Sequence, residues 1–224
     1  GLLLIVWLPL MMVGTVVLAL QVNESRARFS SSMLFIIYLP GALPGMANFM
    51  LWLFILDPTV SPIEFLWEGF GYETLNQVVQ PSRTPLIIAS MLFFQGVGTW
   101  LVILFGGLNG IPSEVMDSGR VDGASSWQMA WRIKLPIIRP WVGYMALMNV
   151  AYGFQLFLEP QVLSQATKNV VSPQWAPNQL GYTYAYGIGN IPAAAAMSVI
   201  LLVITLILGW VIVTRTGIFE ESVD

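Results

Sequence analysis

The 224-residue chain contains no histidine and no cysteine. The first absence removes the commonest general base and metal ligand. The second removes disulfides and thiol chemistry. There is no Gly-x-x-x-x-Gly-Lys-Ser/Thr phosphate loop and no His-Glu-x-x-His metal site. No serine has a histidine to activate it. The expectation is a chain that is not an enzyme, with no catalytic residue, no metal and no cofactor of its own. Charge is also scarce. Charged residues make up 9% of the chain, against about 25% in a soluble domain. Hydrophobic residues make up 56% and the mean hydropathy is +0.73, which specifies an integral membrane protein.

Five stretches approach the roughly 20 apolar residues that a bilayer crossing needs: 2–22, 33–56, 85–108, 141–158 and 191–214. They predict an all-α integral membrane bundle, a single transmembrane domain over 1–224. Basic residues set its orientation. With residues 111–140 in the cytoplasm, Arg26, Arg28, Arg120, Arg132, Lys134, Arg139 and Arg215 share that side. Arg83 and Lys168 are left outside, and seven plus two accounts for all nine. The C-terminus is then cytoplasmic, with Glu220, Glu221 and Asp224 as a solvated tail. Gly1 opens directly inside an apolar run that lacks a basic n-region and a cleavage site, so a signal peptide is not expected. An N-terminal portion is expected to be missing.

The second span contains Pro40, Gly41, Pro44 and Gly45, which predict a kinked helix with a close-packing face. Residues 57–84 predict one or two short interfacial helices outside, or a docking surface. Gln95, Gly96 and Thr99 lie mid-membrane in the third span, and Gln95 and Thr99 share a face. Asn149, Tyr152, Gly153 and Gln155 lie in the fourth. Amides inside a bilayer need partners and face a bundle interior or a wet cavity. One amide is ordinary interhelical glue, but two such stripes favour a substrate path.

Residues 111–140, IPSEVMDSGRVDGASSWQMAWRIKLPIIRP, form the most charged interior stretch. Pro112 and Ser113 signal a helix start with Glu114 in its first turn. Asp122-Gly123 is a turn pair, Ser125 can cap a second helix, and Trp127 and Trp131 share its face. Leu135-Pro136 predicts redirection of that helix. By themselves these residues also suit an amphipathic helix pair lying on lipid.

Their spacing settles the choice. Asp117-Ser118-Gly119, three residues, Gly123, nine residues and Ile133-Lys134-Leu135-Pro136 resemble the Glu-Ala-Ala loop of binding-protein-dependent ABC importer permeases. The run Arg120 to Ser125 is similar to the carbohydrate branch. Gly153-Phe154-Gln155-Leu156-Phe157 resembles the first of its two permease subunits. The chain departs from the family at the three loop residues and after the fourth span, where Ser172 to Pro177 replace Gly-Gly-Pro. The resemblance implies a type I importer permease bundle in a bacterial plasma membrane, with a sixth, N-terminal span. It implies coupling to an ATPase through Glu114, Val115, Met116, Asp117, Ser118, Gly119, Gly123, Ala124, Trp127, Leu135 and Pro136. Val115, Met116 and the tryptophans would supply apolar contact, and Ser118 and Gly119 close approach. Implied partners are a second permease in a heterodimer, two ATPase subunits that bind ATP and Mg, an extracytoplasmic substrate-binding protein and membrane lipid. No nucleic acid is expected. The expected cargo is a mono-, di- or oligosaccharide. A glycerophosphodiester would want basic residues mid-membrane and a polyamine acidic ones, where Glu159 is the near candidate. An ATP-independent secondary transporter would want carboxylates within the spans. The roles of residues 57–84 and 161–190 stay open.

Overall fold

The computed structural model describes residues 2–216. The acidic tail at Glu220, Glu221 and Asp224 lies outside the described residues. Among the described residues the chain is helical throughout, in the order α1 (Leu2–Glu24), α2 (Ala27–Ala42), α3 (Gly45–Leu56), α4 (Glu64–Gly69), α5 (Leu75–Val78), α6 (Thr84–Asn109), α7 (Ser113–Val121), α8 (Ser126–Gln128), a π-helical turn (Met129–Lys134), α9 (Leu135–Ile137), α10 (Arg139–Gln155), α11 (Leu158–Ala166), α12 (Pro177–Tyr182), a second π turn (Thr183–Gly187) and α13 (Ile191–Thr216).

Helices α1, α6 and α13 are each long and apolar enough to cross a membrane. Where the sequence predicts one kinked span over 33–56, the structure has two helices, α2 and α3, bent by 97°. The break falls at Leu43 and Pro44, both extended, because Pro44 cannot donate and disfavours helix before it. The interval between the first two predicted spans, 23–32, is helical except at Ser25 and Arg26. Ser30 Oγ donates to the Val22 carbonyl at 2.7 Å and fastens α2 to the end of α1. The fourth predicted span is the 17-residue α10, which ends at Gln155 where Leu156 turns extended.

α6 is the axis of the bundle, with α1 and α2 packed along it and α10 against both α1 and α13. Two apolar clusters form. One, around Trp7, Met11, Ile88, Leu92 and Leu163, lies toward the end that carries α4, α5, α11 and α12. The other, around Leu20, Leu101, Leu104, Ile138 and Met145, lies toward the end that carries α7–α9. Lys134 of that segment meets Glu24 at the end of α1, so the α1–α2 turn with Arg26 and Arg28 shares this basic end. No residue in the membrane-length part of α13 is fully buried within the chain, and Val199, Leu202, Leu206 and Trp210 stand exposed.

Glycines set the interhelical distances. A Cβ on Gly98 would collide with the Ile37 carbonyl and lie 2.6 Å from Tyr38 Cα, both backbone atoms of α2. One on Gly96 would lie 2.8 Å from Met11 Cε of α1. Gly98→Leu should therefore force α2 off α6 and destabilise the purified protein by about 1–3 kcal/mol or more. Gly106→Ala, where an added Cβ meets nothing, should be neutral or stabilise by about 0.5–1 kcal/mol. Thermal unfolding in detergent checks both. Equal melting of Gly98→Leu and the parent would refute the close-approach account.

Candidate substrate cavity and basic-end hairpin

Between the two apolar clusters lies a cavity of about 320 Å³. The polar part of its wall is Gln95, Thr99 and Asn149 with the Tyr152 phenol, and Trp7 and Trp100 supply aromatic surface. Gln95 and Thr99 reach it because α6 turns that face toward the α2–α3 break, where a Cβ on Gly41 would lie 2.8 Å from the Gln95 carbonyl. Gly96 lines it as well. Asn149 is buried and its Nδ2 donates to the Met145 carbonyl at 2.7 Å, one turn earlier in α10. Tyr152 Oη donates to Glu159 Oε1 at 3.1 Å, which holds the phenol at the rim. The Trp7 indole lies 6.1 Å from the Tyr152 ring, and its buried Nε1 has no hydrogen-bond partner. Among the described residues no charged side chain lines the cavity.

Five of the seven path residues read from sequence thus meet at one cavity: Gln95, Gly96, Thr99, Asn149 and Tyr152. Gly153 does not line it. It packs behind the wall, where a Cβ would lie 3.0 Å from Trp7 Cζ3. Gln155 is exposed at the last turn of α10 and is also outside the lining. Sequence reasoning missed Trp7, Met11, Trp100 and Met148. α1 is apolar all round, so its cavity face carries no pattern; only the tryptophans could have signalled it.

At the basic end, α7 and the run α8–α9 form a hairpin. Ser125 Oγ accepts from Gln128 N–H at 3.3 Å, and Gln128 Oε1 accepts from Ser125 N–H at 2.8 Å, a reciprocal cap. Gly123 has φ +75°, so the turn needs a residue tolerant of the left-handed region. The Ala124 N–H closes the turn on the Gly119 carbonyl at 3.0 Å. Val115 and Trp127 point outward, as does Trp131, whose ring lies 5.2 Å from that of Trp127. Asp117 and Arg120 pair at 2.8 Å, but both are largely exposed, so the pair contributes little stability. Glu114 and Ser118 are exposed, and the Ser118 hydroxyl donates back to the Glu114 carbonyl.

Two expectations need correction. Gly119 does not offer close approach to a partner: it is buried inside the hairpin, where a Cβ would lie 2.6 Å from Met129 Sδ and 2.8 Å from Ile133 Cδ1. Pro136 does not redirect the chain. The π turn closes with Leu135 N–H on the Ala130 carbonyl, helix continues through Pro136 to Ile137, and the direction changes at Ile138. Met116 and Ala124 face a polar cleft of about 390 Å³ between the hairpin and α1. Leu135 packs on the basic-end apolar cluster. Lys134, read from the sequence as one of the cytoplasmic basic residues and not as a buried one, is buried there with Nζ 2.8 Å from Asn23 Oδ1 and 3.4 Å from Glu24 Oε1.

A helical membrane bundle with an outward-facing hairpin at its basic end and an uncharged cavity at its waist is the architecture of a solute permease. Residues 9–216 match the family described as binding-protein-dependent transport system inner membrane component, and the chain belongs to that family. Among its relatives, an osmoprotective-compounds uptake permease of Synechocystis sp. is 27% identical over 128 residues, 54% of this chain and 46% of that protein. A multiple sugar-binding transport system permease of Streptococcus mutans is 28% identical over 138 residues, 61% and 47% of the two chains. An sn-glycerol-3-phosphate transport system permease of Salmonella typhi is 26% identical over 173 residues, 76% and 57%. The chain spans about half the length of the curated relatives it matches. The fold matches a chain in the crystal structure of a bacterial ABC transporter involved in alginate import, with TM-score 0.82 and 21% identity over 99% of this chain and 76% of that one. It also matches a chain of that transporter in complex with an alginate pentasaccharide-bound periplasmic protein, with TM-score 0.79 and 20% identity over 95% and 72% of the two chains.

The hairpin geometry makes two substitutions informative. Gly119→Val should prise α7 from the π turn at about 1–3 kcal/mol. Gly123→Val should strain the turn by about 1–2 kcal/mol. Denaturation midpoints of the two variants, with Gly181→Ala as an open-space control, test this. Parent-like midpoints for both would contradict the packing described.

Proposed function

We propose that this chain is the transmembrane permease subunit of an ATP-driven ABC importer that carries a neutral carbohydrate into the cytoplasm. The observation that carries the reading is the cavity: amides, a threonine hydroxyl and aromatic faces, with no charge in its wall. Sugar hydroxyls both donate and accept, and amides can answer both. Indole and phenol faces suit the apolar faces of sugar rings. Family membership supports the transport class.

In this reading the hairpin of 113–137 is cytoplasmic, by the positive-inside rule, and docks on an ATPase subunit through Val115, Trp127 and Trp131, with Asp117 available to a basic groove residue. Large apolar side chains buried there contribute about 1.5–3 kcal/mol each. Closure of two ATPase subunits rocks the helices, and the cavity opens alternately to each side. A second permease, facing the bare side of α13 or α2, completes the path, and an extracytoplasmic binding protein delivers the cargo. One of the matched structures holds such a periplasmic protein.

The second reading is a phosphorylated polyol, since several relatives carry the sn-glycerol-3-phosphate name. It lacks a basic partner in the cavity. The test is ATP hydrolysis by the complex purified with its operon neighbours, screened with neutral mono- to oligosaccharides, sn-glycerol-3-phosphate and a uronate oligosaccharide. Stimulation by a neutral sugar is expected; stimulation by an anion alone would overturn the cargo assignment. With the stimulating sugar, Gln95→Leu and Asn149→Leu should each raise the KM for uptake roughly five- to tenfold, the equivalent of one hydrogen bond of about 1 kcal/mol. Asp117→Lys should lower stimulated hydrolysis roughly tenfold, as expected of a lost inter-site coupling, without loss of membrane insertion.

A further inference from the structure

We infer that Lys134 is the strut through which movement of the basic-end hairpin enters the cavity wall. The inference rests on the transport reading above and assigns a positioning residue within it. Lys134 is the buried cation of the hairpin, and its bonds leave the hairpin altogether: Asn23 and Glu24 are the last residues of α1, more than a hundred positions away in sequence. Asn23 Nδ2 in turn donates to Asn109 Oδ1 at 3.1 Å, the last residue of α6. One ammonium therefore ties the hairpin to α1, and through Asn23 to α6. Those two helices carry Trp7, Met11, Gln95 and Thr99 of the cavity.

The chemistry suits a strut. Three ammonium protons can hold several acceptors at once. A cation at the C-terminal end of α1 also meets the negative end of its helix dipole. The other contact between hairpin and bundle is apolar, through Ala130, Leu135 and Ile138. Apolar surfaces are not directional and let one element slide over another, whereas charge-assisted hydrogen bonds fix distance and angle. Within the hairpin, Gly119 packs closely on Met129 and Ile133. The π turn Met129–Lys134 widens the helix by one residue per turn and ends at Lys134, which it turns inward while Arg132 stays exposed.

The test uses the intact complex in liposomes, with spin labels at Gln21→Cys on α1 and Ile137→Cys on the hairpin. Both positions are exposed, and the chain has no cysteine of its own. In the otherwise native chain the label distance should stay constant between nucleotide-free, ATP–Mg and orthovanadate-trapped states, because hairpin and α1 move together. With Lys134→Met the distance should shift on vanadate trapping. ATP hydrolysis should persist while transport per ATP falls roughly tenfold, within the range that coupling networks support. The exchange Glu24→Lys with Lys134→Glu should restore the constant distance. A purely structural lysine would lower assembly without producing a nucleotide-dependent distance. If Lys134→Met fails to assemble, Glu24→Leu with Asn23→Leu removes the acceptors instead and should give the same shift. A distance that moves with nucleotide in the native chain, or that stays fixed in every variant, overturns the strut. A native complex that holds no ATPase subunit overturns the transport reading itself, and leaves the Lys134 geometry to be explained otherwise.

Discussion

Helix α6 meets α2 through bare backbone at Gly98 and meets α1 at Gly96. That close approach is the constraint from which the rest follows. Between apolar helices there is little hydrophobic drive in a lipid environment, so association depends on close van der Waals contact and on the polar groups trapped between helices. With α1 and α2 drawn onto α6, the side chains of Gln95 and Thr99 have nowhere to go but the space between the two apolar clusters. A bulkier residue at Gly98 would press on the backbone of α2 and widen that seam, whereas at Gly96 the flexible end of Met11 can give way.

The second consequence concerns polarity. An amide in an apolar bundle either finds a partner or lines a wet space. Asn149 satisfies one donor on its own helix and Tyr152 is anchored by Glu159. Trp7 Nε1, buried in the same region, has no hydrogen-bond partner among the described residues. Because the wall carries no charge, a neutral, hydroxyl-rich solute fits it better than a phosphate or a carboxylate. At the other end of α1 and α6 the arrangement differs: one buried cation, Lys134, is held by Asn23 and the more exposed Glu24.

Much of this was legible in the sequence because it depends on local chemistry. The Ser125 cap, the Asp122-Gly123 turn and the Trp127–Trp131 pair each follow from a few adjacent residues, and Gly123 has the positive φ that such a turn asks for. The stripe Gln95–Thr99 and the pair Asn149–Tyr152 follow from helical spacing, which both helices keep. What was not legible depends on departures from that spacing or on distant parts of the chain. The π turn breaks the 3.6-residue register inside the hairpin, so the burial of Gly119 and Lys134 could not be read from one face. The 97° bend at Pro44 was visible as a kink but not in size, because the direction of α3 depends on its contacts with the distant α6 and α11. Gln155 falls out of the stripe because α10 ends on it, sooner than hydrophobicity alone indicates.

The account rests on one claim, that the waist cavity is the passage and that the basic-end hairpin controls which side it faces. The direct measurement is accessibility of a single thiol at Thr99→Cys, in the assembled complex in inside-out and right-side-out vesicles, to a membrane-impermeant maleimide. The account predicts labelling from the hairpin side without nucleotide and from the opposite side after trapping with ATP and orthovanadate. A thiol that reacts from the same side in both states, or from neither in any state, would contradict it.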